Sequence, residues 1–284
     1  MSENLTITLE SNGRSWQFGS FTQYGIITID GLSALDISIN SADSAQYDGI
    51  NVEGVHVGGK HITAEIKIAK NENTDAVRDW LLGFLNPHNP GIMTITRNGR
   101  SRKILYYVSE RHIERKNLHN PLDLVVDFLC PYPYFTGETF SKNIAQNIPA
   151  MFTGFNLFET SGFTITWKEF SDEVTLENSG DIDAGLDILF TATGAVINPK
   201  ILNETTGKFM RIIVTLKSGD VLRITTGRGN KRIELNGVNI SHKKDRGSEF
   251  FQIITGKNIL KYSADDGYKN LNCLPQWSAQ YMGA

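Results

Sequence analysis

The stretch HITAEIKIA, His61 to Ala69, alternates apolar and polar residues with a period of two. Ile62, Ala64, Ile66 and Ile68 fall on one face of an extended chain, while His61, Thr63, Glu65 and Lys67 fall on the other. It reads as a strand with one face buried and one wet. Shorter runs of the same character lie at Gly25–Asp30, Leu35–Ile39, Met93–Arg97 and Lys103–Val108, the last two joined by the turn signal Asn98–Gly99. The first half is therefore expected to hold an antiparallel sheet with a hairpin.

One segment breaks this period. In NTDAVRDWLLGFLNP, Val77, Trp80, Leu81 and Phe84 recur at helical spacing. Asn73 or Thr74 can cap the first exposed amides, Asp75 sits near the positive helix end, and Pro87 stops the helix from beyond. An amphipathic helix of about three turns, packed on the first sheet, is expected. The next strong strand, PLDLVVDFLCP, places Leu122, Leu124, Val126 and Phe128 on one face. Pro131 and Pro133 cannot donate ladder hydrogen bonds, so the strand ends inside CPYPYFTGE, Cys130 to Glu138. That motif reads as a stiff exit from a first domain, with Tyr132, Tyr134 and Phe135 available to seal its lower edge and Gly137 supplying a turn.

After a polar connector the β pattern resumes: FTITW, EVTLEN, LDILFTATG, FMRIIVTL, VLRITTG, KRIELNG, FFQIITG and NILKY follow one another between Gly, Asn and Asp turns. Such spacing points to a sandwich or jelly roll, not to βαβ units. The 284 residues suffice for two domains, set here at 1–137 and 138–284. The fold class expected is mainly β, with one packed α-helix in the first β-sandwich.

Composition narrows the function. With 28 basic against 31 acidic residues, the net charge of -3 offers no general attraction to phosphate backbones. Cys130 and Cys273 stand far apart and suggest neither a disulfide framework nor a zinc site. The N-terminus lacks a basic patch followed by an apolar run, and no window approaches the roughly 20 apolar residues of a membrane helix. A chain folded in the cytosol, without membrane insertion, is expected.

Several motifs invite a chemical reading and carry a plainer one. GVHVGGKH, Gly54 to His61, has Walker A spacing through Gly59–Lys60, but His61 replaces the magnesium-binding hydroxyl and a strand follows where a helix is needed. The histidines, His56, His61, His88, His112, His119 and His242, form no close ligand set. Asp265–Asp266–Gly267 reads as a turn, and TTGRGNKR, with Arg228, Lys231 and Arg232, as a hairpin loop with solvated charges. Trp167, Tyr262, Trp277 and Tyr281 have the faces needed to stack on sugar rings, although packing is the commoner use of such residues. No catalytic residue, cofactor or metal site is assigned.

The order of the pieces resembles the distal tail proteins, or Dit, of long-tailed bacteriophages that infect Gram-positive bacteria. The resemblance rests on GLSALDISI, GVHVGGKHITAEIKI, AVRDWLLGFLN followed by Pro87, and the strand ending in DFLCPYPYFTGE. In the second half it rests on NPKILNETTG, SGDVLRITTGRGNKRIELNG, FFQIITGKNILKY and PQWSAQYMGA. It implies a tail-tube-like first domain, six copies of which form a ring, and a galectin-like second domain outside that ring. The implied partners are the tail tube protein, a tail-associated lysin or tail fibre hub, and receptor-binding or baseplate proteins. Phage DNA would pass through the channel without specific binding, and six copies at -3 each would carry -18. The location implied is the distal end of the tail in the virion, after assembly in the host cytoplasm, and the role is structural, not enzymatic. The polar, Gly-containing region Ser41 to Gly59 is the candidate arm that reaches a neighbour, or else an ordinary surface loop. A carbohydrate-binding β-sandwich acting in host adhesion is the alternative function, and a glycan hydrolase the third.

Overall fold

The computed structural model describes residues 4–43, 48–68, 74–114, 122–144 and 173–284. The protein is mainly β and divides into two compact units, Met1–Glu138 with Gln280–Ala284, and Thr139–Ala279.

The first unit contains β1 (Leu5–Ser11), β2 (Arg14–Gly19), β3 (Tyr24–Asp30), β4 (Ile37–Asp43), β5 (Ile50–Val57), β6 (Lys60–Ile68), α1 (Thr74–Phe84), β7 (Gly91–Arg97), β8 (Arg100–Glu114), β9 (Leu122–Cys130) and the start of β10 (Phe135–Ser141). The pairings are antiparallel; most follow two paths, β2-β1-β7-β8 and β8-β9-β6-β3, with β10 joining β8 at Thr136 and β4 pairing with β5 apart from both. The long β8 serves both, because Arg100–Tyr106 pairs with β7 and Tyr107–Glu114 with β9. The expected two-residue period is present in β6, where Ile62, Ala64, Ile66 and Ile68 are buried and their alternates face outward. These side chains share a core with Ile7, Leu9, Phe18, Met93, Ile95, Leu124 and Phe128. β1 and β2 extend the expected strand set; LTITLES alternates as cleanly as β6, and Asn12–Gly13 turns between the strands with both φ angles positive.

The helix forms where its apolar spacing places it. Leu81 and Phe84 are buried, and Phe84 meets Trp16 edge-on at 6.3 Å. Trp80 is half exposed and stacks on Phe84 at 5.1 Å. Arg111 donates from its guanidinium to the carbonyls of Leu82 and Leu85, satisfying groups that the helix end leaves without partners. α1 begins at Thr74, and Asn73, the other residue named as a cap, lies outside the described residues.

β9 stops at Cys130, before the two prolines, and β10 starts at Phe135. Phe135 and Tyr134 are buried, as sealing requires. Gly137, expected to make a turn, lies instead within β10, because the backbone resumes ladder pairing two residues after Pro133. The residues Gln280–Ala284 belong to the first unit, whereas the sequence division at 137/138 leaves them in the second half. Lys60 explains their position: its buried ammonium donates to the carbonyls of Met282 (3.0 Å) and Leu32 (3.1 Å). Arg102 adds a donation to Gly283 and lies 3.8 Å from the Tyr281 ring centre.

The second unit contains the end of β10 and β11 (Glu173–Asn178), β12 (Leu186–Ala192), β13 (Val196–Ile197), β14 (Lys200–Asn203), β15 (Lys208–Arg211) and β16 (Thr215–Leu216). These are followed by β17 (Val221–Gly227), β18 (Asn230–Leu235), β19 (Val238–Asn239), β20 (Gly256–Ser263) and most of β21 (Leu271–Tyr281). One sheet runs β19-β18-β17-β12-β21, another β11-β20-β14-β15, and β13 pairs with β16. Their inner faces meet in one core, with Ile188, Phe190, Ile224 and Cys273 from the first sheet and Leu176, Ile201, Met210 and Leu260 from the second. This is a β-sandwich. Two expected segments differ. FMRIIVTL breaks into β15 and β16, because Ile212 and Val214 turn inward across a short irregular link. FFQIITG forms no strand, only a bridge from Ile253 to Ala184, so it makes no hairpin with β20. FTITW and Trp167 lie outside the described residues. Among the described residues no helix is long and apolar enough to cross a membrane.

Candidate assembly surface

β4 and β5 pair with each other and with no other described strand, so they form a two-stranded arm. Its base is closed by the Gly58 amide donating to the Asp36 carbonyl at 2.8 Å. A Cβ on Gly58 would stand 2.7 Å from the Asp36 carboxylate, a side-chain end free to swing aside. The register pairs Ile37 with Val57 and Ile39 with Val55; beyond a shift at Asn40/Ser41, Val52 faces Ser41 and Ile50 faces Asp43. The arm thus has an apolar side built from β-branched residues, and that side is uncovered: Ile39 is 58% exposed and Val55 63%. A lone two-stranded ribbon is marginal in water, and its outer edges leave backbone donors and acceptors unpaired. From Ile37 to Val57 the arm has Asp43, Asp48 and Glu53 but no lysine or arginine, and these acids form no ion pair among the described residues.

The described residues of the region named in the sequence, Ser41 to Gly59, hold the end of β4 and all of β5. Its strand character was obscured by four glycines and the acidic residues, all depleted from strands in general.

A second exposed surface lies on β7 and β8. Ile92 and Leu105 are cross-strand neighbours, Tyr107 follows on the same side of β8, and all three stand more than a third exposed. Lys103, two residues before Leu105, shares that side. Arg97, Arg100 and Arg102 alternate onto the opposite side of the hairpin, where with Ile95 and Ala284 they line a cavity of about 430 Å³. On the Ile92 side, Lys103 is the basic residue of the hairpin and Glu10 of β1 stands directly beside Ile92, so that side holds both signs of charge. A third surface, a cleft of about 600 Å³, is lined by Trp16, Phe21, Tyr24, Val77 and Trp80.

The residues weighed in the sequence for chemistry have other work. Lys60 of the Walker-like stretch is buried beneath the 280–284 segment, where burial pushes its amino group below the usual lysine range while neighbouring Cys130 pushes the other way. Gly58 and Gly59 separate β5 from β6, so the stretch joins two strands and leads into no helix. His61 meets Asp127 at 3.0 Å, and Thr63 and Ser109 also donate to that carboxylate. Burial disfavours the charge on Asp127, but the hydrogen bonds from Ser109, His61 and Thr63 together outweigh it and hold the carboxyl below its ordinary range. Ser109 and His61 both address the carboxylate instead of each other, so they do not form a nucleophile–base pair. His112 pairs with Glu114 at 2.8 Å on an exposed strand end.

Asp265 binds Asn198 and Arg211, and those hydrogen bonds lower its carboxyl; Gly267 turns with φ +73°. Arg228 lies in the β17–β18 turn. Tyr262 is fully buried, and Trp277 is buried, stacked on Phe140 and donating its indole N–H to the Glu177 carbonyl at 3.2 Å. Neither ring offers a face to a sugar. Both thiols are buried, and burial pushes Cys130 up to about 12 and Cys273 higher still, so both stay protonated and inert. Among the described residues no group of three metal-ligating side chains converges.

Comparison with known proteins gives this arrangement its setting. No curated protein matches the chain in sequence. Residues 179–280 match the family described as siphovirus-type tail component, C-terminal domain. The Dit protein of phage SPP1, described as a paradigm of the hub adsorption apparatus of phages infecting Gram-positive hosts, superposes with a TM-score of 0.66 at 12% identity, over 96% of this chain and 98% of that one. A chain of the phage P2 baseplate, in its activated conformation with calcium, superposes with a TM-score of 0.54 at 9% identity over the full length of both. At these identities the structural likeness speaks for the fold, and the family match for the second unit. Residues 179–280 thus match the siphovirus-type tail component family, C-terminal domain, and the chain has the fold of the SPP1 Dit protein over 96% of its length.

Proposed function

We propose that this protein is the structural hub of a phage tail: six copies close into a ring through their first units and join the tail tube to the baseplate or receptor-binding apparatus, while the second units lie outside and carry those partners. The observation that carries this reading is the arm. A tail component whose first unit extends an uncovered apolar ribbon needs a protein surface to cover it, and apolar residues aligned on one side of a ribbon specify a packed contact. Ring closure requires two different patches on each subunit, related by a rotation that closes, and the first unit has the arm as one of them. The channel carries DNA without binding it, the location is the distal end of the virion tail, and the role is not enzymatic. The family of the second unit and the Dit fold of the whole support each of these points.

Direct sugar binding has less support. Tyr262 and Trp277, two of the aromatics suited to stacking, are enclosed in the second unit. Light scattering and negative-stain imaging of the purified chain test the hub: a ring of six 31.7 kDa copies is expected. A chain that stays single at all concentrations, with particles that still join tube to tip in its absence, overturns it.

A further inference from the structure

We propose that Asn12 and Asn98 are sites of spontaneous deamidation, and that Asn236, in the same dipeptide and the same kind of turn, is protected from it. Neither site depends on ring closure. The chain has Asn–Gly pairs at 12–13, 98–99 and 236–237, and every other asparagine precedes a residue with a side chain. Each pair makes a two-residue turn: Asn12–Gly13 between Ser11 and Arg14, Asn98–Gly99 between Arg97 and Arg100, and Asn236–Gly237 between Leu235 and Val238. The asparagine φ angles are +49°, +49° and +50°, and the glycines following them are left-handed too. All of these residues are exposed. The backbone is thus alike in the three turns, and the side-chain surroundings differ.

The chemistry is intramolecular. The glycine amide nitrogen, once it has lost its proton to solvent base, attacks the side-chain carbonyl carbon of the asparagine. A C–N bond forms, closing a five-membered succinimide, and the side-chain nitrogen takes up a proton and leaves as ammonia. Water then opens one of the two ring C–N bonds, giving aspartate or isoaspartate. One water is consumed and one ammonia released, with no oxidant or reductant. Glycine favours the attack because it puts no Cβ in the path. In a turn of this type the glycine nitrogen lies across the Cα–C bond from the side chain, so the asparagine must first rotate out of the turn. Whatever holds its side chain therefore slows the reaction.

Asn236 is held at both ends of its amide. Its Oδ1 accepts from the Val221 N–H at 2.9 Å, its Nδ2 donates to Asp220 Oδ1 at 2.9 Å, and its backbone N–H donates to the Val221 carbonyl at 2.8 Å. The Asp220 carboxylate also opposes negative charge on the attacking nitrogen. Asn12 and Asn98 make no side-chain hydrogen bond among the described residues. The Asn98 backbone N–H is fixed, 3.2 Å from the Asn4 carbonyl, but its amide lies at the cavity of Arg97, Arg100 and Arg102, whose positive charge favours the attacking anion. Isoaspartate carries the side-chain methylene into the main chain. Each such conversion lengthens a turn that fixes strand register and adds one negative charge.

Peptide mapping by mass spectrometry, on the full chain kept in warm, mildly alkaline buffer, tests the contrast. The Asn12 and Asn98 peptides are expected to show the mass change of NH2 replaced by OH, with isoaspartate predominating. The Asn236 peptide is expected to convert about tenfold more slowly, as two net hydrogen bonds of ordinary strength imply. In urea, where the turns are gone, the three pairs are expected to convert at similar rates. Asp220→Ala, at an exposed position outside the turn, is expected to speed Asn236 alone. Equal rates at the three pairs in the folded chain overturn the proposal. So does retention of Asn12 and Asn98 in the folded chain while the urea-treated chain converts, or a slow Asn236 that stays slow in urea.

Discussion

The β4–β5 arm and the β17–β18 hairpin are similar lengths of chain with opposite fates. Each is a pair of antiparallel strands rich in isoleucine, valine or leucine. In β17 every second side chain enters the core, Leu222, Ile224 and Thr226, Ile233 of β18 joins them fully buried, and β12 pairs along the outer edge of β17. In β4–β5 nearly every position is exposed, and neither outer edge has a described strand beside it. The difference teaches that an apolar ribbon states a need for burial without saying where the covering surface is. For β17–β18 that surface is in the same unit, and for the arm we place it on another copy.

Substitutions test this contrast in descending order of effect. Phe190→Ala, on the buried face of β12, is expected to cost about 3–5 kcal/mol in a denaturant melt, from lost burial and the cavity left behind. A smaller effect is expected where a polar contact organises buried chain. Lys60→Ala removes donors from the carbonyls of Leu32 and Met282 and should cost about 1–3 kcal/mol. Hydrogen exchange at residues 280–284 should rise with it, and unchanged protection there would show that the segment does not depend on Lys60.

Asp127→Asn, on a partly exposed face, should cost about 1 kcal/mol at neutral pH, where the carboxylate accepts from Thr63 and Ser109. Because the folded carboxyl is held below its ordinary range, its contribution is complete above the unfolded value of about 4 and is lost as pH falls through the lower folded value. The gap between variant and wild type should therefore close in acid, and a gap independent of pH would assign it to packing instead. The smallest effect on stability belongs to the arm. Ile39→Ala with Val55→Ala should leave the melt within about 0.5 kcal/mol of the wild type, as exposed positions do, while assembly weakens. A loss like that of Phe190→Ala would mean that the arm is part of its own unit's core and would remove the contrast.

Much of this was legible in the order of residues because local rules suffice for it. The alternation in HITAEIKIA, the spacing of Val77, Leu81 and Phe84, the turn at Asn98–Gly99 and the prolines after Cys130 each act within a few residues, and the elements stand where those signals put them. Segments such as FFQIITG misled because an alternating pattern also suits a chain that buries Phe251 and Ile253 without pairing along its length. The arm was legible as a reaching segment but not as a ribbon with one apolar side, since that side is assembled from two strands whose register shifts at Asn40/Ser41.

By itself, then, the sequence determined the β architecture and the helix, both set by short-range sterics, hydrogen bonding and burial periodicity. Only the tertiary structure decided that Lys60 holds the 280–284 segment, that Tyr262 and Trp277 are enclosed, and that the arm's isoleucines and valines stand in water. Burial and charge pairing depend on which distant strands come together, and no local pattern carries that information.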